Sequence, residues 1–233
     1  MFDPKKLLDQ FLGSQVPGTR GTVREKAGDA VQLAKDNPLA TGAIAAVLLG
    51  TGAGRALTGS ALKLGGLAVV AGLGYQAYKN YQAGKAPQES NVPRLETDVV
   101  PEAAQSGFDT VAEEVDDDFA LALMRAMISA ARADGHIDED ERKHIGSRLA
   151  VAGLADDAQA FINQELDQPT PLDDIVAAAR SEEQKVEIYT ASRLAIDPNT
   201  RAERGYLDML AGRLGLADAL VDHIEATVAG LTV

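Results

Sequence analysis

The stretch Asp134-Gly135-His136-Ile137-Asp138-Glu139-Asp140-Glu141 decides how the chain is read. A nearly all-apolar segment, Phe119 to Ala133, runs into it. A helical pattern carrying Ile145 and Leu149 runs out of it, from Asp138 to Ala152. A variant returns downstream as Asp197-Pro198-Asn199-Thr200-Arg201-Ala202-Glu203. Glu141 is followed by the tetrapeptide Gly153-Leu154-Ala155-Asp156, and Glu203 is followed at the same spacing by Gly215-Leu216-Ala217-Asp218. An arginine follows each glutamate, Arg142 and Arg204. The offset between the copies is longer than solenoid periods, so two copies predict one domain with an internal two-fold pseudo-repeat. Each half is then a helix, an acidic turn and a helix.

The surrounding pattern is helical throughout. Asp156 to Gln168 carries Phe161, Ile162 and Leu166 and stops before Pro169. Pro171 suits the first position of a short helix to Arg180. Ser181-Glu182-Glu183-Gln184 is a capping box opening a helix to Ile196, and Thr200-Arg201-Ala202-Glu203 is a second one opening Arg201 to Leu214. Asp218 to Val228 is the last helix. No strand pattern is present, so residues 118–233 are predicted to be an all-α bundle of about seven helices.

Composition limits what surrounds this domain. Of 233 residues 45% are hydrophobic but only 4% aromatic, with no Trp, so a core must be built from Ala, Leu, Ile and Val. The absence of Cys excludes disulfides, thiol catalysis and Cys-ligated zinc. The net charge of -13 divides unevenly: residues 1–94 hold 11 Lys/Arg against 6 Asp/Glu, a balance of +5, and residues 95–233 hold 11 against 29, a balance of -18. The basic part suits an anionic membrane surface. The acidic part argues against nucleic acid as a partner.

Upstream, residues 1–38 read as an amphipathic N-terminal region, with Leu7 and Leu8 opposite Lys5 and Lys6, then a second helix over Thr22 to Lys35. Residues 39–83 contain no acid. Leu39 to Gly54 is one uncharged run and Leu64 to Tyr78 is another of similar length. Gly42, Ala46, Gly50 and Gly54 recur every fourth position, the spacing that lets helices in lipid approach closely. Tyr75, Tyr78 and Tyr81 gather beside Lys79 and Lys85, as in an interfacial belt. These features predict a membrane segment of one or two Gly-rich helices, with lipid as a partner and homo-oligomer contacts through the glycines. The alternative is a Gly/Ala-rich helical hairpin buried in protein. Two spans place both ends in the cytoplasm, since nine Lys/Arg flank the runs and two lie between them. One span with an interfacial second helix places the acidic domain outside. Residues 84–117, with Pro87, Pro93 and Pro101 and many acids, are expected to be a disordered linker.

The acidic turns have two readings. Asp138 with Glu141 is a capping pair, and Glu139 and Asp140 suit the positive end of a helix. Capping does not account for Asp134 and Asp197, which precede the caps and can converge with the glutamate beyond. Carboxylates with turn carbonyls form the ligand set of Ca²⁺ or Mg²⁺. The spacing is not an EF-hand, because Glu139 and Ile145 stand where that loop needs Gly and Glu. His136 is an exposed turn residue that could add a nitrogen ligand, and His144 and His223 read as surface residues.

The Ala-Asp-Gly-His-Ile-Asp…Glu-Arg run at 133–142 and its Ile-Asp…Glu-Arg counterpart at 196–204 resemble the tellurite-resistance TerB-like helical domains. The larger layout, a Gly-rich apolar segment, an acidic linker and a two-motif domain, resembles the YebE-type family of uncharacterised bacterial inner-membrane proteins. The resemblance implies an all-α TerB-like fold, an inner-membrane location and candidate metal positions at Asp134, Asp138, Glu141, Asp197 and Glu203. It supplies no activity. The second turn departs from the first, being shorter by one position and having Pro198 in place of Gly135.

No catalytic constellation is legible: there is no nucleophile motif, His-rich ligand set or phosphate-cradling Gly loop. The expectation is a membrane-anchored interaction or stress-response module that binds an unknown protein partner. The alternatives are an oligomeric stress-response protein free of the membrane and, from another class, a metal-assisted hydrolase using the clustered carboxylates.

Overall fold

Asp116 sets the first well-capped helix of the domain. Its side chain accepts the Asp118 N–H at 2.9 Å, and its own pKa is lowered chiefly by that backbone donor. Such a cap satisfies an N–H that the helix cannot. The computed structural model describes residues 3–5, 7–8, 66–87, 99–110, 115–133, 135, 156–196 and 198–229. Among these the chain forms eight helices and no strand: α1 (Gly66–Gln82), α2 (Val99–Gln105), α3 (Asp117–Ala131), α4 (Asp156–Asp167), α5 (Leu172–Ala177), α6 (Glu182–Ala195), α7 (Arg201–Leu214) and α8 (Asp218–Ala229).

Helix α6 is the hub. It packs most extensively on α3 and also touches α1, α7 and α8. Its buried residues run without a break from Val186 to Arg193, so it has no solvent face over its middle. The partners have one-sided patterns. On α8 the buried positions are Leu220, His223, Ile224, Thr227 and Val228, and on α7 they are Glu203, Leu207, Leu210, Ala211 and Leu214. Both sets follow the i, i+3, i+4, i+7 spacing that puts side chains on one stripe. On α3, Phe119, Leu123, Met124 and Met127 fill the centre.

The internal repeat is visible in the element bounds. Helices α4 and α8 each have 12 residues, and they begin at Asp156 and Asp218, the last positions of the two Gly-Leu-Ala-Asp tetrapeptides. In the second copy, Gly215 ends α7 with φ of 69°, a left-handed conformation that favours glycine. Leu216 then turns into the core, with its N–H donating to the Ala211 carbonyl. In each half an arginine reaches across to a later helix: Arg132, at the end of α3, donates to the Glu165 carbonyl in α4, and Arg193 of α6 to the Glu225 carboxylate in α8.

Upstream of the repeat the structure departs from the expectations. The second apolar run is helix α1, packed on α6 and α8 with Leu67, Val70, Ala71, Leu73 and Ala77 buried. None of the described helices is long and apolar enough to cross a membrane. A small, apolar helix surface looks the same to hydropathy whether lipid or protein covers it. Here α6 and α8 supply the cover. The tyrosines are packed too: Tyr75 and Tyr78 meet Phe108 edge-on with centroids 5.7 and 6.0 Å away, and Tyr81 lies edge-on to His223 at 6.2 Å. Lys79 bonds Glu102 at 2.6 Å, in place of a lipid headgroup. For this run the buried alternative is the one the chain follows. The run Leu39–Gly54, with its four-position ladder of small residues, lies outside the described residues, as does the helix expected at Thr22 to Lys35.

The segment read as a disordered linker contains α2 and a docked loop in which Phe108 is buried. Its acids do not prevent this, because Glu102 is paired with Lys79 and hydrogen-bonded by Tyr75. The N-terminal residues also join the bundle. Leu7 and Leu8 are core residues, and Lys5 pairs with Asp117 at 3.3 Å.

Candidate functional site

Two places on α6 carry buried polar chemistry. The first is its C-terminal end, where the second acidic turn begins. Arg193 is 5% exposed. Its Nε donates to Glu225 Oε2 at 2.6 Å and its guanidinium donates to the Ile196 carbonyl at 2.8 Å. Tyr189 OH donates to the other carboxylate oxygen, Glu225 Oε1, at 2.8 Å. Burial, then the neighbouring Glu225 charge, raises the tyrosine pKa, so the phenol stays protonated and serves as a donor. This network ties α6 to α8 and fixes the chain as it leaves α6. Buried charges need partners of this kind.

The turn itself is closed by a complete capping box. Thr200 Oγ1 accepts the Glu203 N–H at 3.1 Å, and Glu203 Oε2 accepts the Thr200 N–H at 2.7 Å. Arg204 folds back and donates to the Pro198 and Asn199 carbonyls. Glu203, one of the five candidate metal positions, is therefore buried and engaged in the cap. Asp134, Asp138, Glu141 and Asp197 lie outside the described residues, as do His136 and His144. No group of three or more His, Cys, Asp or Glu that could hold a metal is found among the described residues.

The first half has a counterpart around Glu165, which is 4% exposed. Arg125 Nε donates to its Oε1 at 2.8 Å, and the Thr170 N–H and hydroxyl also donate to its carboxylate. The anchor lets the chain leave α4 and pass Pro169 in a fixed direction.

The second place is the face of α6 turned toward α1 and the loop after α2. Gly74 of α1 crosses α6 here. A Cβ at Gly74 would sit 3.1 Å from Val186 Cγ1, 3.3 Å from Phe108 Cε1 and 3.4 Å from Thr190 Oγ1. Beside the crossing lies Glu187, which is 0% exposed. Its Oε1 accepts the Asp109 N–H at 2.7 Å, and as a carboxylate its Oε2 has no hydrogen-bond partner. Burial first, then the charges of Asp109 and Glu183, pushes its pKa well above the ordinary carboxyl value. Protonated, Oε2 becomes a donor, and the Asp109 carboxylate is the acceptor that favours this form. Asp109 Oδ2 is itself held by Gln184 Nε2 at 3.1 Å.

Sequence reasoning missed Glu187, Arg193, Glu225 and Glu165. A signal existed for the first: Glu187 interrupts the apolar stretch Val186 to Ala191 one turn after Glu183. His223 was legible too. It is not a surface residue but 4% exposed, because it falls on the stripe of Leu220, Ile224 and Thr227 and meets Tyr81.

A family model for proteins of unknown function, DUF533, matches residues 34–228. The chain belongs to the DUF533 family. The match takes in both apolar runs, the segment between them and the repeat domain as one unit. An uncharacterized protein in the ampR 5' region of Yersinia enterocolitica is 30% identical over 106 residues, which is 46% of this chain and 76% of that protein. No solved structure matches the chain.

Proposed function

We propose that the chain is a TerB-like interaction module held at the cytoplasmic face of a bacterial inner membrane by the segment around Leu39–Gly54. The single observation that carries this is a common address for two distant stretches. Residues 3–8 and α1 pack in the same bundle, through Leu7, Leu8 and the Lys5–Asp117 pair on one side and Leu67 to Ala77 on the other. A chain that leaves this bundle at Leu8 and returns at Gly66 starts and ends on one side of any membrane. It crosses an even number of times or only dips in. This packing argues against the one-span topology with an external acidic domain.

The uncharged run suits a shallow or re-entrant insertion. As a helix it spans about 24 Å, less than the ~30 Å hydrocarbon core. The domain's role is then to present a partner-binding surface beside the bilayer, with binding rather than catalysis as its work. The buried acids Glu165, Glu187 and Glu203 support that, since each is hydrogen-bonded to the backbone of its own fold.

Fractionation of the full chain tests the anchor. It should pellet with membranes, and the double substitution Leu48→Asp with Leu49→Asp should move it to the soluble fraction. Reporters that act only outside the cytoplasm should be silent at both ends. Opposite signals at the two ends would refute the arrangement, and a wild-type chain found free in the soluble fraction would refute the anchor.

A further inference from the structure

The seam that α1 and the loop after α2 make with α6 has an unusual composition for a packing contact. It closes around three carboxyls, Asp109 from the loop after α2 and Glu183 and Glu187 from α6. Glu187 is the fully buried member. Among the described residues its bond to another element is to the Asp109 N–H, and Asp109 follows Phe108, the ring on which Tyr75 and Tyr78 of α1 rest. The loop thus links Glu187 to α1. On its own side, α1 brings Gly74 and the rings of Tyr75 and Tyr78 to the seam. Lys79 on α1 pairs with Glu102, and Lys185 on α6 with Glu182. Among the described residues the charged groups acting on Glu187 are both acids, Asp109 and Glu183.

We propose that Glu187 is a proton-controlled latch that holds α1 and the loop Phe108–Asp109 against α6 and releases them when the proton is lost. Protonated, Glu187 satisfies both its oxygens, one through the Asp109 N–H and one through the Asp109 carboxylate. Ionised, it leaves Oε2 buried without a donor beside two like charges, and a buried unpaired charge is relieved by opening the seam to water. The group's folded pKa lies above its ordinary value, so docking is fully supported below the ordinary carboxyl range. It weakens as pH rises toward and through the folded value. The released surface is apolar, with Leu67, Val70 and Leu73 on α1. The latch does not rest on the membrane proposal, because it concerns the bundle alone.

Hydrogen exchange on the full chain, expressed as protection factors from mildly acidic to mildly alkaline pH, tests the latch. Protection over Leu67–Ala77 should fall about tenfold per pH unit inside the window, the change expected for one proton released on opening. Protection over α7 should stay level. In Glu187→Gln, a same-shape side chain that cannot ionise, the α1 profile should be flat. A flat wild-type profile, an equal fall in Glu187→Gln, or a fall in α7 that keeps step with α1 would each overturn the latch. The wild-type profile decides the matter even if the variant folds poorly.

Discussion

Helices α1 and α3 are both apolar and both pack on α6, yet they reach it in different ways. Helix α3 fills the space with large side chains, Phe119, Leu123, Met124 and Met127. Helix α1 comes close through a glycine, with Gly74 in the position where any Cβ would press on Val186, Phe108 and Thr190. Large side chains give a contact made of buried area, which tolerates small shifts. A close backbone approach gives a contact decided at one residue. Helix α3 also carries its own start signal in Asp116, whereas α1 has no acidic residue in its first turn. The two interfaces should therefore fail differently.

The largest expected effect is at α3. Leu123→Ala removes a fully buried side chain from the centre and should lower stability by about 2–5 kcal/mol. A chemical denaturation curve should show the loss in the whole repeat domain at once. If only one end of the domain melts, α3 is not the shared core.

Next comes the glycine contact. Gly74→Val should cost about 1–3 kcal/mol by overpacking against Val186 and Phe108. Hydrogen exchange should report the loss in α1 and the loop through Phe108, with α7 less affected. A variant as stable as wild type would show that the seam can shift, and that the close approach is not required.

A smaller effect is expected at the second acidic turn, which opens α7. Thr200→Ala removes the hydroxyl that accepts the Glu203 N–H and should cost about 1 kcal/mol. The same cost should appear in thermal melts with a chelator and with added Ca²⁺ or Mg²⁺. A cost that changes with the cation would mean that Glu203 is shared between the cap and a metal.

The smallest effect marks the edge of both contacts. Met209 is 49% exposed on α7, outside the α6 seam, and Met209→Gln should alter stability by less than about 0.5 kcal/mol. A larger loss in a thermal melt would place Met209 in an interface between copies of the chain.

Much of the repeat domain was legible because its signals are local. The Thr200–Glu203 capping box, the end of α4 before Pro169 and the paired Gly-Leu-Ala-Asp tetrapeptides each concern a few adjacent residues. The hydrogen bonds of the capping box are made within one turn of the chain. Ser181 is instructive because it was only half predictable. It accepts the Gln184 N–H as expected, but the Gln184 side chain takes the Arg180 N–H, one residue before the cap. Of the candidate metal positions, only Glu203 falls among the described residues, and its role there is that of the cap.

The sequence by itself determined that this is an all-α domain, where its C-terminal helices begin and end, and that its two halves repeat. Periodicity and capping are properties of short stretches, so they survive without a partner. Only the tertiary structure decided what covers the apolar surfaces. Hydropathy is the same function of side chains whether the neighbour is a lipid tail or Val186. The assignment of α1 to protein came from Gly74 meeting Val186 and Thr190 of α6, far away along the chain. The same holds for Glu187, whose burial beside Asp109 depends on 78 residues of chain returning to one place.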